Sequence, residues 1–247
     1  NYIEVEDFGD DTLFKVLKHN KTNKDQVFRK ILKTLDRLQL IKDKQIVNFK
    51  SQKFKVQEYD NKILSNEAKL FSEWYAPTKI NKFQIRKFKK GYENEVKKLL
   101  SKLNLKNDTF VHRDFHVSNL MYVKNNIAVI DSQDALIGNK AYDLASLVDD
   151  VRFETSNKLK NKILNNYFKK FKKTEINKFI NDFEILSVLR NLKIIGIFMR
   201  LALRDNKKKY VKMIPYAWEM INYRMKKNRE FVNLKLILKR NFPKFVK

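Results

Sequence analysis

Residues 111–134 read VHRDFHVSNLMYVKNNIAVIDSQD, and the fold is decided there. Segments 120–123 and 127–130 are apolar and β-prone, and Lys124-Asn125-Asn126 between them is a turn signal. A hairpin is therefore expected directly after a polar loop. Asp114 and Asn119 lie five residues apart in that loop, and Asp131 stands at the end of the hairpin's second strand. The layout delivers three oxygen-bearing side chains to one place.

Phosphoryl transfer needs such a set. One carboxylate orients the attacking hydroxyl and takes its proton, while an amide oxygen and a second carboxylate hold Mg²⁺ against nucleotide phosphates. We assign the first role to Asp114 and the metal to Asn119 and Asp131. The alternative is a polar loop whose acids only cap turns, and the combined spacing weighs against it. His112 and His116 are four apart, a spacing that in a helix would suggest zinc, but this segment reads as a loop and no H-E-x-x-H helix is present.

Composition narrows the classes. A chain of 247 residues with 43% hydrophobic and 13% aromatic content has material for a sizeable core. The absence of cysteine excludes disulfides, thiolate metal sites and a Cys nucleophile. No run of apolar residues is long enough for a membrane helix, and the acidic start does not read as a signal peptide, so a cytoplasmic protein is expected. The net charge of +26 raises nucleic-acid binding. The lysines are dispersed along helical segments with no nucleic-acid motif among them. We read the excess as the composition of a Lys/Asn/Ile/Phe-rich proteome, with nucleic acid not expected as a partner.

Outward from the hairpin the pattern is helical. Asp11-Thr12 caps a short helix to about residue 19, and Val27, Ile31, Leu35 and Leu38 mark a helix over 24–40. Segment 43–60 has little periodicity and is expected to be an irregular connection. Helices follow over 61–75 and 91–103, with the basic, aromatic stretch 82–88 expected as a surface turn or loop. After Gly138-Asn139 come helices over 141–151, 159–171, 175–203 and 208–226, and Pro215 should kink the last or start it afresh. A last packed helix is expected within 231–245.

The motif set resembles the aminoglycoside phosphotransferase and choline-kinase-like family, which shares the protein-kinase fold. The matching residues are Val111-His112-Arg113-Asp114-Phe115-His116 with Asn119, then Ile130-Asp131, then Ala141-Tyr142-Asp143-Leu144-Ala145. Within that family the chain is similar to the cell-wall-recycling kinases that phosphorylate the anomeric hydroxyl of N-acetylmuramate and N-acetylglucosamine. Four stretches carry this narrower likeness: Glu4-Val5-Glu6-Asp7-Phe8-Gly9-Asp10, residues 67–75, Ile130-Asp131-Ser132-Gln133-Asp134-Ala135, and residues 190–205. At Ser132 those kinases more usually carry an aromatic residue.

The resemblance implies an α+β, mostly α fold: the C-terminal lobe of a protein-kinase-like fold with a small catalytic β-hairpin, entered midway, its N-terminal lobe lying before Asn1. Residues 1–10 would be that lobe's last strand and hinge, with the backbone of Glu4, Val5, Glu6 and Asp7 beside the adenine of ATP. Residues 11–247 would be the helical catalytic lobe, with substrate-side helices at about 61–103, the catalytic loop and metal hairpin at 111–134, and a helical remainder from 141. The resemblance gives His112, Arg113 and Asp143 supporting roles around the loop. His116 contacts substrate or loop, or is a satisfied loop histidine. Asp134 contacts metal or substrate, or braces the loop. Glu73 and Trp74 line a sugar pocket, or are a solvated acid and a core indole. Arg190, Lys193 and Arg200 recognise a lactyl carboxylate, or are ordinary helix-surface charges. The expected activity is ATP- and Mg²⁺-dependent phosphorylation of an amino sugar. The alternatives are another small-molecule kinase of the family, acting on an aminoglycoside, choline or another amino alcohol, and a basic nucleic-acid-binding protein on a degenerate kinase fold. Intact Asp114, Asn119 and Asp131 argue against degeneration.

Overall fold

Short helix-capping signals and apolar faces build most of the molecule. The computed structural model describes residues 4, 6–19, 22–48, 50–226 and 228–246. In chain order the elements are α1 (Leu13–Lys18), α2 (Lys24–Gln39), β1 (Gln45–Val47), β2 (Lys53–Lys55), α3 (Asn61–Leu70) and α4 (Lys82–Leu100). Then come β3 (Asn107–Val111), β4 (Leu120–Val123), β5 (Asn126–Val129), β6 (Leu136–Asn139) and α5 (Ala141–Val148). The remaining helices are α6 (Asn157–Phe168), α7 (Lys173–Arg204), α8 (Ile214–Met225) and α9 (Val232–Asn241). The architecture is α+β and mostly α. Among the described residues no helix is long and apolar enough to cross a membrane.

The chain divides into two compact units. The first comprises residues 1–58 and 108–170, the second residues 59–107 and 171–247.

In the first unit, Thr12 caps α1 by accepting from Lys15 N, and Asn23 caps α2 by accepting from Asp25 N and Gln26 N. Helix α2 buries Val27, Phe28, Ile31, Leu32 and Leu35 as one stripe at helical spacing. The expected hairpin is present: β4 and β5 pair antiparallel with Leu120 opposite Val129 and Val123 opposite Asn126. Lys124 and Asn125 make its tight turn with φ of 44° and 68°, the left-handed geometry that two-residue hairpin turns require. The approach to α1 is stitched to the hairpin, since Tyr122 N donates to Asp11 O at 2.9 Å.

One expectation in this unit fails. Segment 43–60 is not wholly irregular, because β1 and β2 form a small antiparallel hairpin with Ile46 opposite Phe54. All six strand residues are exposed, so no buried face imposed the alternation that sequence reading depends on. The turn is held by Asn48, whose side chain accepts from Lys50 N and Gln52 N.

In the second unit, Asp60 and Asn81 cap α3 and α4. Segment 82–88 is therefore helix and not a surface loop. Asn81 starts one continuous α4 in which Phe88 and Tyr92 stack at 5.7 Å, and Gly91 is spanned. Lysines on the solvent face hid that helix from an apolar-periodicity reading. The core gathers around Phe71, whose ring meets Tyr75, Tyr92, Trp218 and Phe242 at 5.3–5.6 Å. Helix α3 widens at its end into a π-helical turn, Phe71–Tyr75. Gly196 on α7 sits against this junction. A Cβ there would lie 2.3 Å from the carbonyl carbon of Leu70, so only glycine allows the approach. Pro215 falls in the first turn of α8, where it starts a fresh helix after the 3₁₀ stretch Lys208–Met213.

Candidate active site

The polar loop between β3 and β4 is built around a buried carboxylate. Asp143, in the first turn of α5 and 1% exposed, accepts the His112 N–H on Oδ2 at 2.7 Å and the Arg113 N–H on Oδ1 at 3.0 Å. Those bonds hold Arg113 in the left-handed region, φ 73°, which turns the chain before Asp114. A neutral acceptor would do this more weakly, because hydrogen bonds to an ionised group are roughly twice as strong.

From there the loop closes on itself. The Asp114 carbonyl accepts from His116 N at 2.9 Å and from Asn119 Nδ2 at 3.2 Å. Ile130 N donates to Asn119 O at 3.1 Å, and His112 Nε2 lies 2.9 Å from Ile130 O, so this nitrogen carries the proton. The histidine ring thereby ties the Asp114 turn to the residue before Asp131. Asp131 is exposed and itself left-handed at φ 67°, a conformation that re-aims its side chain at the strand end. One of its oxygens accepts from Gln133 Nε2 at 2.8 Å, and the other lies 3.5 Å from Asn119 Nδ2. Asp114 is half-buried. The first unit thus brings Asp114, Asn119 and Asp131 together.

The donor set suits a small hard cation. The Asp131 carboxylate and the Asn119 amide oxygen are hard donors, and two protein ligands completed by water and phosphate oxygens are the usual complement for Mg²⁺. Asn119 spends its Nδ2 on the Asp114 carbonyl, which leaves Oδ1 as the amide's oxygen donor. The residues present therefore fit Mg²⁺.

The other first-unit candidates divide by exposure. Arg113 Nη1 donates to the Asp134 carbonyl at 3.0 Å, so the Asp134 backbone braces the loop while its carboxylate is exposed. His116 is 4% exposed, which favours packing within the loop over substrate contact. Glu4, Glu6 and Asp7 are exposed, and Asp7 Oδ1 accepts from Gly9 N at 2.7 Å, in a turn where Gly9 takes φ 71°. Val5 lies outside the described residues. Gln133 and the Ile130 carbonyl were not anticipated as parts of the site. Gln133 stood inside the quoted motif, whereas a backbone carbonyl leaves no trace in sequence.

The second unit holds the remaining candidates. Glu73 is exposed and Trp74 half-buried on the π-helical turn, and the deeply buried indole of this unit is Trp218. Half-burial makes Trp74 neither a fully enclosed core indole nor a fully exposed one. Arg190 and Lys193 are not ordinary surface charges. Arg190 is 3% exposed, and Lys193 Nζ pairs with Glu67 Oε2 at 2.8 Å, where Tyr59 OH also donates. Apolar neighbours over residues 185–198 bury α7 on nearly all sides, so its charges are carried inward. Arg200 is half-buried near the helix end.

The chain is similar to known proteins. The chain is 33% identical over 183 residues to an N-acetylmuramate/N-acetylglucosamine kinase of Neisseria meningitidis serogroup B, covering 72% of this chain and 54% of that protein. It is 29% identical over 186 residues to the kinase of the same name from Pseudomonas aeruginosa, covering 71% and 54%. The chain spans about half the length of these curated relatives. Among solved structures, the AMP-bound spectinomycin phosphotransferase aligns over 84% of this chain and 69% of its own, with a TM-score of 0.50 and 14% identity. That likeness concerns the fold, the C-terminal lobe of a protein-kinase-like architecture. The model of the APH family, described as a phosphotransferase enzyme family, matches residues 10–176, and the chain belongs to that family.

Proposed function

We propose that this chain carries the acceptor and metal side of an ATP-dependent phosphotransferase. Its substrate would be an amino sugar, phosphorylated at the anomeric hydroxyl of N-acetylmuramate or N-acetylglucosamine, in the cytoplasm where ATP is at hand. The observation that carries the reading is the convergence of Asp114, Asn119 and Asp131 on one loop-and-hairpin, locked from behind by Asp143. The names of the curated relatives support the choice of acceptor.

In this reading Asp114 hydrogen-bonds the sugar hydroxyl and accepts its proton as the hydroxyl oxygen attacks the γ-phosphorus. The bond from γ-phosphorus to the β–γ bridging oxygen breaks, and ADP leaves with that electron pair. Asn119 and Asp131 would hold Mg²⁺, which when bound neutralises charge on the phosphates. The loop closure from Asp143 fixes where Asp114 stands. Glu73, Trp74, Arg190, Lys193 and Arg200 remain candidates for the sugar side, and Glu4, Val5, Glu6 and Asp7 for the adenine side.

The test uses the full-length protein with γ-labelled ATP and a panel of acceptors. Label transfer to N-acetylmuramate or N-acetylglucosamine is the expected result. Transfer to choline or an aminoglycoside alone would replace the acceptor and keep the mechanism. An Asp114→Asn variant should lose about 10²–10⁴-fold in kcat, and full activity in that variant would overturn the role of Asp114.

A further inference from the structure

Lys160 is wholly buried, an uncommon place for an ammonium group. It projects from α6 onto the far end of α5. Its Nζ donates to the Val148 carbonyl at 2.6 Å and pairs with Asp149 Oδ1 at 3.1 Å, and the Asp149 side chain is equally buried. Val148 is the last residue of α5 and Asp149 its C-cap. A helix C-terminus presents carbonyls without intrahelical donors and the negative end of the helix dipole, so a cation is favoured there.

What lies at the other end of α5 gives this pair its interest. The helix has only eight residues, all buried, and its first turn carries Asp143. Little more than one turn of rigid helix therefore separates the Lys160 contact from the carboxylate that holds the backbone of His112 and Arg113. A tilt at one end of so short a rod is carried to the other. Stability alone does not call for a charge here, because buried ion pairs are often no better than apolar residues of the same volume. What the pair adds is direction: an ammonium and a carboxylate define where the end of α5 must sit.

We propose that Lys160 is a positioning residue for the phosphotransfer site, acting through α5 and Asp143 on the backbone that presents Asp114. The catalytic part of this inference rests on the function proposed above, whereas the mechanical part does not.

The experiment compares the full-length protein with its Lys160→Met/Asp149→Asn double variant, which leaves neither ion buried alone. Amide hydrogen exchange is followed at His112 and Arg113 and, as an internal reference, in the buried stripe of α2. Exchange at His112 and Arg113 should accelerate roughly tenfold or more, with the α2 amides within about twofold. In the phosphotransfer assay kcat should fall about 10–100-fold with KM for both substrates nearly unchanged. Should the double variant fold too poorly for local exchange to be read, Lys160→Gln keeps an N–H donor for Val148 and carries the same comparison. Unchanged protection at His112 and Arg113, or a loss matched in α2, would overturn the positioning role. Selective loss of protection in a protein that transfers no phosphate to any acceptor would uphold it and overturn the proposed function instead.

Discussion

Asp143 and Arg113 are joined by a 3.0 Å hydrogen bond from the arginine backbone N–H to Oδ1, and that bond sits beside a left-handed backbone at Arg113. Oδ2 takes the neighbouring His112 N–H at 2.7 Å. Two charge-assisted bonds in a buried setting offset the cost of the φ 73° turn. Asp143→Ala would leave both N–H groups without this acceptor. At roughly 1.5–3 kcal/mol for each of the two hydrogen bonds to a charged group, a loss of about 3–6 kcal/mol is expected in urea unfolding. Asp143→Asn should recover part of it by keeping an acceptor oxygen. A loss below about 1 kcal/mol for the alanine variant would mean that the loop is held by something else.

The Asn119–Asp131 pair predicts a metal dependence. Asn119 Nδ2 lies 3.5 Å from Asp131 Oδ2, so the two side chains are neighbours, and in the function proposed above the Asn119 Oδ1 and the Asp131 carboxylate would hold one cation. Asn119→Ala and Asp131→Asn, each in the full-length protein, should raise the Mg²⁺ concentration for half-maximal rate by at least the roughly 10–100-fold that loss of outer-sphere partners costs. The Asp131 variant should keep the wild-type urea midpoint to within a few tenths molar, since Asp131 is exposed, whereas Asn119→Ala also gives up the bond to the Asp114 carbonyl and should lose about 0.5–1.5 kcal/mol. An unchanged Mg²⁺ profile in the Asp131 variant would remove that residue from the metal site.

What sequence shows of this site, and what it hides, follows from where the physical signal lies. The β4–β5 hairpin was legible because its turn needs residues that tolerate positive φ, and Lys124-Asn125-Asn126 between two apolar runs announces them. The α2 stripe and the caps at Thr12 and Asn23 were legible for the same local reason. The β1–β2 hairpin was not, because three-residue strands with both faces exposed leave no pattern. Nor was the first half of α4, where lysines and an exposed Phe83 mask a helix that Asn81 begins. The inward charges of α7 were not legible because spacing assigns faces only when one face is polar, and this helix is buried nearly all round over its central turns.

Gly196 gives the sharpest packing prediction. An added methyl would meet Leu70 C at 2.3 Å, Leu70 O at 2.4 Å and Phe71 N at 2.5 Å, all backbone atoms at the point where α3 becomes a π-helical turn. Backbone cannot swing aside as a long side chain does. Gly196→Ala, which in an open helix would gain roughly 1 kcal/mol, should instead destabilise by about 1–3 kcal/mol or more as α7 is pushed off the junction. Urea unfolding settles the sign. Gly91→Ala is the control, since nothing lies within 4 Å of the point its added methyl would occupy and α4 is continuous there. That variant should be neutral or stabilising, and equal effects of the two substitutions would refute the close approach.

Tyr92 sets an alkaline limit on stability. Its ring is fully buried and its hydroxyl donates to the Ala68 carbonyl at 3.0 Å. Burial first, and then the negative charge of Glu93, push the phenol well above the ordinary tyrosine range. The folded protein thus resists losing this proton, while the unfolded chain releases it near pH 10. The stabilisation is fully present below about pH 10 and declines as pH rises further, by about 1.4 kcal/mol per pH unit for this one group. Tyr92→Phe forfeits the bond to Ala68, worth roughly 1 kcal/mol at neutral pH, but it removes the titrating group. Wild type should therefore lead at pH 8, and its advantage should shrink and then reverse between about pH 10 and 11. Urea midpoints of the two proteins across that range provide the check. Parallel pH profiles would show that Tyr92 does not govern the alkaline transition.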